Sequence, residues 1–495
     1  MPLPSHPILS CDEARVFEAA HFGGDEAREW AAMQQAGRAV ARAILRDFDE
    51  IGGFPAAGRV LVLAGKGHNA GDALLAALAI LETFPGATAD IVFAFGERSL
   101  RPLAARAWRR LADGTGAARL AVVAPAAVAA GYDLAIDGVF GFQFRAPAGP
   151  AVAGLLARVE ALPIRLRAAV DLPSAGLFRA DFTYATGAVK TPALEEPAGR
   201  VRYLDLGFFR GVEPGADRVL TPEILAPLAA LRPARSDKRT FGHVFVLGGS
   251  RGYPGAVLMA VLAALRSGAG LVTAFVPESL AAAYAARAPE AMWIAWPETP
   301  DGGLALEGRH LLSMRLERAT ALVIGPGLGR EAETLALVHD IVKTSRVPLV
   351  LDADALQPEI VRAGQAPRVL TPHAGEFARI GGGADLRGFL RTTAATVILK
   401  GPVTRIAAAT GGEPAAVYHS FFGGPVLARG GSGDLLAGLT GGLLAQTPDD
   451  PLLAAARGAV WHGRAADALA RAHGQAAVRT TQLLEFLSPA LRDRE

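Results

Sequence analysis

Residues Arg59 to Ile80 read RVLVLAGKGHNAGDALLAALAI. RVLVLA is a short apolar run of the kind buried in a parallel sheet, Gly65 to Asp72 is a glycine-rich turn, and Asp72 to Leu81 has helical spacing. A strand that runs through glycines straight into a helix is one unit of an α/β fold. The same rhythm continues with strands expected at DIVFAF (Asp90 to Phe95), LAIDGVFG (Leu134 to Gly141) and LRAAVDL (Leu166 to Leu172), and a helix at Pro102 to Leu111. It starts again at HVFVLGG (His243 to Gly249), GLVTAFV (Gly270 to Val276), ALVIG (Ala321 to Gly325), PLVLDAD (Pro348 to Asp354), RVLTP (Arg368 to Pro372) and TVILK (Thr396 to Lys400). Strands alternating with helices predict parallel sheets covered on both faces, so the fold class is α/β.

Turn residues Val212-Glu213-Pro214-Gly215 and the charged run Arg232 to Arg239 separate the halves, with few apolar anchors between them. The expected organisation is a first domain over 1–212, a linker over 213–222 and a second domain over 223–490. With 495 residues the chain exceeds any single small module, since domains average ~150 residues. Hydrophobic residues at 51%, charged residues at 20% and a mean hydropathy of +0.28 supply large cores and argue against extensive disorder. Fifty Lys+Arg stand against 48 Asp+Glu with no dense basic segment, which argues against a nucleic-acid partner. Cys11, the single cysteine, forms no internal disulfide or thiolate cluster and suits a reducing compartment. The N-terminus lacks a signal-peptide pattern and the apolar runs fall short of the ~20 residues that span a bilayer, so the expectation is a cytoplasmic protein without membrane partners.

The candidate chemistry sits at strand ends. The loop Gly65 to Asp72 leads into a helix N-terminus, whose N–H groups and dipole suit an anion or polar ligand, although Asp72 is also placed to cap that helix. Asp137 and Asp171 fall at two further strand ends, where ligands of open α/β sheets gather. Oxygen donors from Asn69, Asp137 and Ser174 would suit a hard cation; equally, both aspartates could bond loop amides. In the second half Gly430-Gly431-Ser432-Gly433-Asp434 precedes the apolar run Leu435 to Leu444, a glycine lead-in fit to wrap a phosphate with one carboxylate beside it. Asp434 is the candidate general base. Upstream lie Gly325 to Gly329 (GPGLG), Asp352-Ala353-Asp354, Thr371 to Glu376 (TPHAGE) and Lys400 to Thr404 (KGPVT), each after an expected strand.

GKGHNAGDA, DGVFG and VDLPSAG, in that order over Ile8 to Phe208, resemble the N-terminal domain of the bifunctional NAD(P)H-hydrate repair enzymes. HVFVLGGSRGYPGA, ALRSGAGLV, GPGLG, VLDADAL, LTPHAGEF, LKGPVT and ARGGSGDLLAG, over Leu220 to Leu487, resemble the NAD(P)H-hydrate dehydratase branch of the ribokinase-like superfamily. The resemblance implies an N-terminal Rossmann-like three-layer domain that epimerises NAD(P)H-hydrate and a C-terminal ribokinase-like three-layer domain that dehydrates it with ADP and Mg²⁺, releasing AMP and phosphate. It further implies K⁺ held by Asn69, Asp137 and Ser174, with Asp137 and Asp434 as catalytic residues. The epimerase substrate would meet His68, Asn69, Ala70, Gly71, Asp72, Gly141, Phe142, Gln143, Phe144, Arg145, Ala146, Pro147 and Asp171. The dehydratase substrate would meet Ala256, Gly327, His373 and Asp434, and the nucleotide Lys400, Gly401, Pro402, Val403, Thr404 and Gly433. The partners implied are small molecules, NAD(P)H-hydrate and ADP, with the chain acting as a homo-oligomer.

Several positions depart from the family pattern. His68 replaces an asparagine, Ala70 and Ala73 replace glycines, Ala175 is inserted before Gly176, Gln34 stands for a glutamate, and Gly424 stands where asparagine is frequent. Ala70 and Ala73 are expected to add Cβ atoms where backbone approaches ligand. An alternative reading makes the second half a small-molecule kinase and the first a non-catalytic ligand-binding or interaction domain.

Overall fold

The computed structural model describes residues 3–116, 118–195, 198–209, 211, 215–409 and 416–493. Val212, Glu213 and Pro214 of the expected turn lie outside them. The chain folds as two compact units, one built on His6–Val219 and the other on Leu220–Leu469 with the residues from Gln475 on. Of the stretch 213–222, Asp217–Leu220 is a strand in which Val219 and Leu220 are buried.

Among the described residues, seven parallel strands make the sheet of the first unit: β1 Arg59–Ala64, β2 Thr88–Phe93, β3 Leu120–Val122, β4 Leu134–Gly138, β5 Leu166–Val170, β6 Phe182–Thr186 and β7 Arg200–Leu204. Their order is β3-β2-β1-β4-β5-β6-β7. The chain therefore winds one way from β1 to β3 and the other way from β4. The crevice outside the carboxyl ends of β1 and β4, where the order reverses, is where such sheets take their ligands. The helix His68–Thr83 leaves β1 at that point and is buried along most of its length because it is sandwiched against Glu26–Phe48. A Cβ at Gly71 would lie 2.4 Å from Met33 Sδ, and one at Gly37 2.5 Å from Leu75 Cβ, so glycine at both positions sets how closely the helices approach.

The sheet of the second unit contains β8 His243–Leu247, β9 Leu271–Pro277, β10 Met292–Trp296, β11 Ala321–Ile324, β12 Leu349–Leu351, β13 Arg368–Leu370, β14 Thr396–Leu399, β15 Thr404–Ala408 and β16 Val417–Ser420. The order is β10-β9-β8-β11-β12-β13-β14-β15-β16, parallel as far as β14 and antiparallel beyond it. Here the winding reverses between β8 and β11. The helix Ser432–Gln446 is buried from Leu435 to Ala445. A Cβ at Gly438 would fall 1.9 Å from the Ala260 carbonyl oxygen, so the helix Pro254–Arg266 can lie against it only because that side chain is absent.

Candidate active sites

In the second unit, loops from four parallel strands and one helix N-terminus meet. Lys400, just past β14, places its Nζ 3.3 Å from Asp352 Oδ1 and 3.7 Å from Glu376 Oε2. Asp352, just past β12, also accepts a 2.6 Å hydrogen bond from Thr371 Oγ1, and Glu376 accepts one of 2.8 Å from the His373 N–H. A Cβ at Gly433 would stand 3.2 Å from Lys400 Nζ and 3.9 Å from Asp352 Oδ2, which brings the start of helix Ser432–Gln446 against this ion pair. Gly431 precedes the helix at φ 92° and no described side chain caps it; the Ser432 N–H turns back to the Arg429 carbonyl at 3.4 Å, and the rest of the first turn, Gly433 and Asp434, suits an anion. Asp434 lies in that first turn. Burial, then the charge of Asp352, raise its pKa to about 7 against the pull of Lys400. Lys400 is itself mostly buried; burial opposes its charge, but Asp352 and Glu376 outweigh that and hold it above the usual lysine range.

The surrounding loops are pinned. Arg429 donates to the carbonyls of Ala476 (2.9 Å), Val478 (3.2 Å) and Gln475, and Thr480 Oγ1 donates to the Gly430 carbonyl at 2.8 Å. Gly327 takes φ 68°, and a Cβ there would approach Ala256 Cβ to 3.1 Å, so these two expected substrate contacts are neighbours. Asp354 accepts from the Gly329 N–H (3.2 Å) and Arg330 Nε (2.8 Å), which anchors the GPGLG loop. His373 caps the helix Ala374–Arg379 by accepting from Gly375 and Glu376 N–H groups at Nδ1, while Nε2 lies 3.5 Å from Glu376 Oε1 on a largely exposed side chain. Gly401 and Pro402 form an exposed hairpin tip between β14 and β15.

The first unit holds a cavity of about 420 Å³ at the carboxyl ends of its central strands. Six phenylalanines line it: Phe140 and Phe144 stack with centroids 4.1 Å apart, Phe95 meets Phe140 edge-on, and Phe22, Phe142 and Phe208 join them. One end is ionic. Lys190 Nζ, buried, lies 2.6 Å from Asp171 Oδ1 and 3.9 Å from Glu18 Oε1. Burial and the neighbouring Asp171 and Glu18 raise the Asp72 pKa well above the carboxylate range, and burial raises Glu18 to about 7. Of the expected substrate contacts, His68, Asn69, Asp72, Gly141, Phe142, Gln143, Phe144 and Asp171 line the cavity.

The rest fall elsewhere, for identifiable reasons. Ala70 and Ala73 belong to the buried core cluster, because the helix begins at His68 and these positions lie on its inner face. Their methyl groups are packing atoms, which corrects the expectation that they crowd a ligand. Gly71 faces Met33, Arg145 is exposed beside Asp12 at 3.3 Å, and Ala146 and Pro147 do not line the cavity. Asp137 is fully buried and off the cavity wall. Its carboxylate accepts from Ser174 Oγ (2.6 Å), Ser174 N–H (2.7 Å) and Val139 N–H (3.1 Å). That geometry suits an anchor or ion-holding group rather than an acid–base residue at the cavity. Burial nevertheless lifts its pKa to about 6 against those three donors. Asn69 donates to the Phe140 (3.0 Å) and Val170 (2.9 Å) carbonyls. Carboxylate, hydroxyl and amide oxygens at Asp137, Ser174 and Asn69 form a donor set of the hard type. Lys190, Glu18 and Glu29 in the first unit, and Asp352 and Glu376 in the second, were not among the expected site residues. Asp352 and Glu376 lie inside the motifs quoted above, whereas nothing around Lys190 marks it.

A glycine-led helix N-terminus facing a lysine and a carboxylate of raised pKa is the layout of a phosphoryl-transfer site, and the cavity of the first unit adds a second small-molecule site: the class is a two-site α/β enzyme. Residues 244–489 match the NAD(P)H-hydrate dehydratase family and residues 30–194 the family of YjeF-related protein N-termini. The bifunctional NAD(P)H-hydrate repair enzyme Nnr of Gloeobacter violaceus is 37% identical over 98% of this chain and 97% of its own length, and that of Moorella thermoacetica 34% identical over 94% and 92%. A crystal structure of the ADP/ATP-dependent NAD(P)H-hydrate dehydratase from Bacillus subtilis with ATP/Mg²⁺ is 29% identical, covering 56% of this chain and 98% of that one with a TM-score of 0.48. The chain belongs to the bifunctional NAD(P)H-hydrate repair enzymes.

Proposed function

We propose that the second unit dehydrates the S epimer of NAD(P)H-hydrate with ADP as phosphoryl donor, and that the first unit interconverts the R and S epimers. The observation that carries the reading is Asp434, a carboxylate with its pKa at about 7 in the first turn of an uncapped helix and beside Lys400. A base of that strength is half ionised at neutral pH and matched to removing an alcohol proton in the transition state. Asp434 takes the C6 hydroxyl proton as that oxygen attacks the terminal phosphorus, AMP departs, and helix N–H groups and Lys400 bear the developing charge. The C6 phosphate ester then loses phosphate with the help of the N1 lone pair, a proton leaves C5, and the reduced nicotinamide is restored.

Mg²⁺ neutralises charge on the transferring phosphates when bound. Among the described residues no three His, Cys, Asp or Glu side chains group to hold a metal, which fits an ion that arrives on nucleotide phosphates. Gly401 to Thr404 offer backbone to the nucleotide, and Ala256, Gly327 and His373 face the hydrate. In the first unit Asn69, Asp137 and Ser174 would hold K⁺, securing the loops that end β4 and β5. The cavity's phenylalanine walls suit a planar nicotinamide ring. Homo-oligomeric assembly and cytoplasmic residence complete the reading; the single cysteine supports the latter. No helix among the described residues is long and apolar enough to cross a membrane.

The test supplies purified R or S hydrate with ADP and Mg²⁺ and follows absorbance of reduced nicotinamide with AMP and phosphate release. Recovery from S, and from R at the rate of epimerisation, is expected; a stable phosphorylated product without recovery would identify a kinase instead.

A further inference from the structure

Asp171 stands out in the cavity on three counts. Its backbone takes φ 67°, a strained region for a residue other than glycine, and is held there by its N–H donating to the Tyr184 carbonyl at 2.9 Å. Its Oδ1 is bound to Lys190 Nζ at 2.6 Å. Its Oδ2 is buried with no hydrogen-bond partner among the described residues, an arrangement costly enough to require a role, and the residue lines the cavity. Lys190 is as constrained. Val189 and Lys190 pair in parallel with Ile8 and Leu9, Nζ reaches the Thr186 carbonyl at 3.4 Å, and the ammonium sits 5.1 Å from the Phe142 ring centre.

We propose that Lys190 is the positioning residue of the epimerase site, holding one oxygen of Asp171 so that the other is presented, unpaired, to the C6 hydroxyl or to the water that replaces it. The inference rests on the epimerase reading of this cavity. The carbinolamine at C6 inverts when its hydroxyl takes a proton from a carboxylic acid, the C6–O bond breaks with the N1 lone pair forming C6=N1, and water leaves. Water then adds to the opposite face and gives a proton to a carboxylate, so atoms and charge balance without a redox partner. Asp171 is the acceptor. Asp72, whose acid form is favoured by burial, is the donor, and inversion in the opposite direction exchanges the two roles, Asp171 protonating the C6 hydroxyl and Asp72 accepting from water, which returns the proton.

The charged and titratable groups around the pair are Glu18 and Cys11 from the helix Cys11–Phe22, Asp72 from His68–Thr83 and Glu29 from Glu26–Phe48, with Arg145 acting on Cys11. Lys190 is the ammonium in direct contact with Asp171. Glu18, 3.9 Å from Nζ, competes for it.

The experiment measures R-to-S interconversion by the full chain against pH. Lys190→Met is expected to move the acid limb upward by about one pH unit or more and to slow the reaction about tenfold at pH 6, while Lys190→Arg keeps the midpoint. Glu18→Gln, which leaves the ammonium to Asp171, is expected to move the limb downward, and it decides the matter should Lys190→Met fail to fold. A rate loss with an unmoved midpoint in Lys190→Met, or an unmoved or raised midpoint in Glu18→Gln, overturns the positioning role. Wild-type chain that interconverts no hydrate overturns the epimerase reading and this inference with it.

Discussion

Replacing Asp352 by Asn removes the charge that, after burial, does most to raise Asp434, and keeps an oxygen for the 2.6 Å bond from Thr371. It also dissolves the 3.3 Å pair with Lys400, freeing that ammonium to act on Asp434. Both changes lower the Asp434 pKa. Asp352 Oδ2 is 3.9 Å from the Cβ position of Gly433, the residue before Asp434. Two carboxylates ~6 Å apart at an effective dielectric of ~20 repel by roughly 3 kcal/mol, or about two pH units. The midpoint of the acid limb should therefore fall from about 7 toward ~5. At pH 6 the ionised fraction would rise about tenfold, while the plateau drops because a weaker base drives proton transfer less well. The assay is kcat/KM for the S hydrate at saturating ADP from about pH 5 to 9, read at the reduced-nicotinamide band. An unmoved or raised midpoint would refute the electrostatic origin of the Asp434 shift.

Two further substitutions probe the same unit. Asp434→Asn should stabilise the fold at alkaline pH: the folded pKa of about 7 exceeds the ordinary 3.8, so this group's stability is present below about 4 and is lost as pH rises through 7. Three pH units correspond to ~4 kcal/mol at most, and screening at this partly open site reduces that to ~1–2 kcal/mol, a Tm rise of a few degrees at pH 8 that shrinks toward pH 4 in thermal unfolding. Gly438→Ala should destabilise the second unit by ~3 kcal/mol or more, because its Cβ would fall 1.9 Å from a main-chain oxygen; urea unfolding followed at the tryptophans would show it, and a wild-type midpoint would contradict the packing described.

What was legible in the sequence follows from burial. Strands covered on both faces, such as RVLVLA and HVFVL, are continuous apolar runs and coincide with β1 and β8. Leu120–Val122 and Met292–Trp296 escaped notice because edge strands keep exposed residues, Val122 and Met292 among them. Thr404–Ala408 and Val417–Ser420 mix polar with apolar residues and carry no uniform run. Glycine loops at strand ends were readable as backbone-ligand sites, and Asp434 with them. Ala70 and Ala73 misled because their meaning depends on where the helix starts: once it begins at His68, i and i+3 face the core. Lys190 carried no signal at all, since a lone lysine reads as solvated until pairing with Ile8 and Leu9 buries it against Asp171.

The most direct test of the central claim is turnover of S hydrate by Asp434→Asn in the full chain, alongside ADP affinity by calorimetry. ADP binding within about threefold of wild type and a loss of turnover of ~10³-fold or more are predicted, since a lost general base costs 10²–10⁴. Turnover within about tenfold of wild type, with nucleotide binding intact, would contradict it.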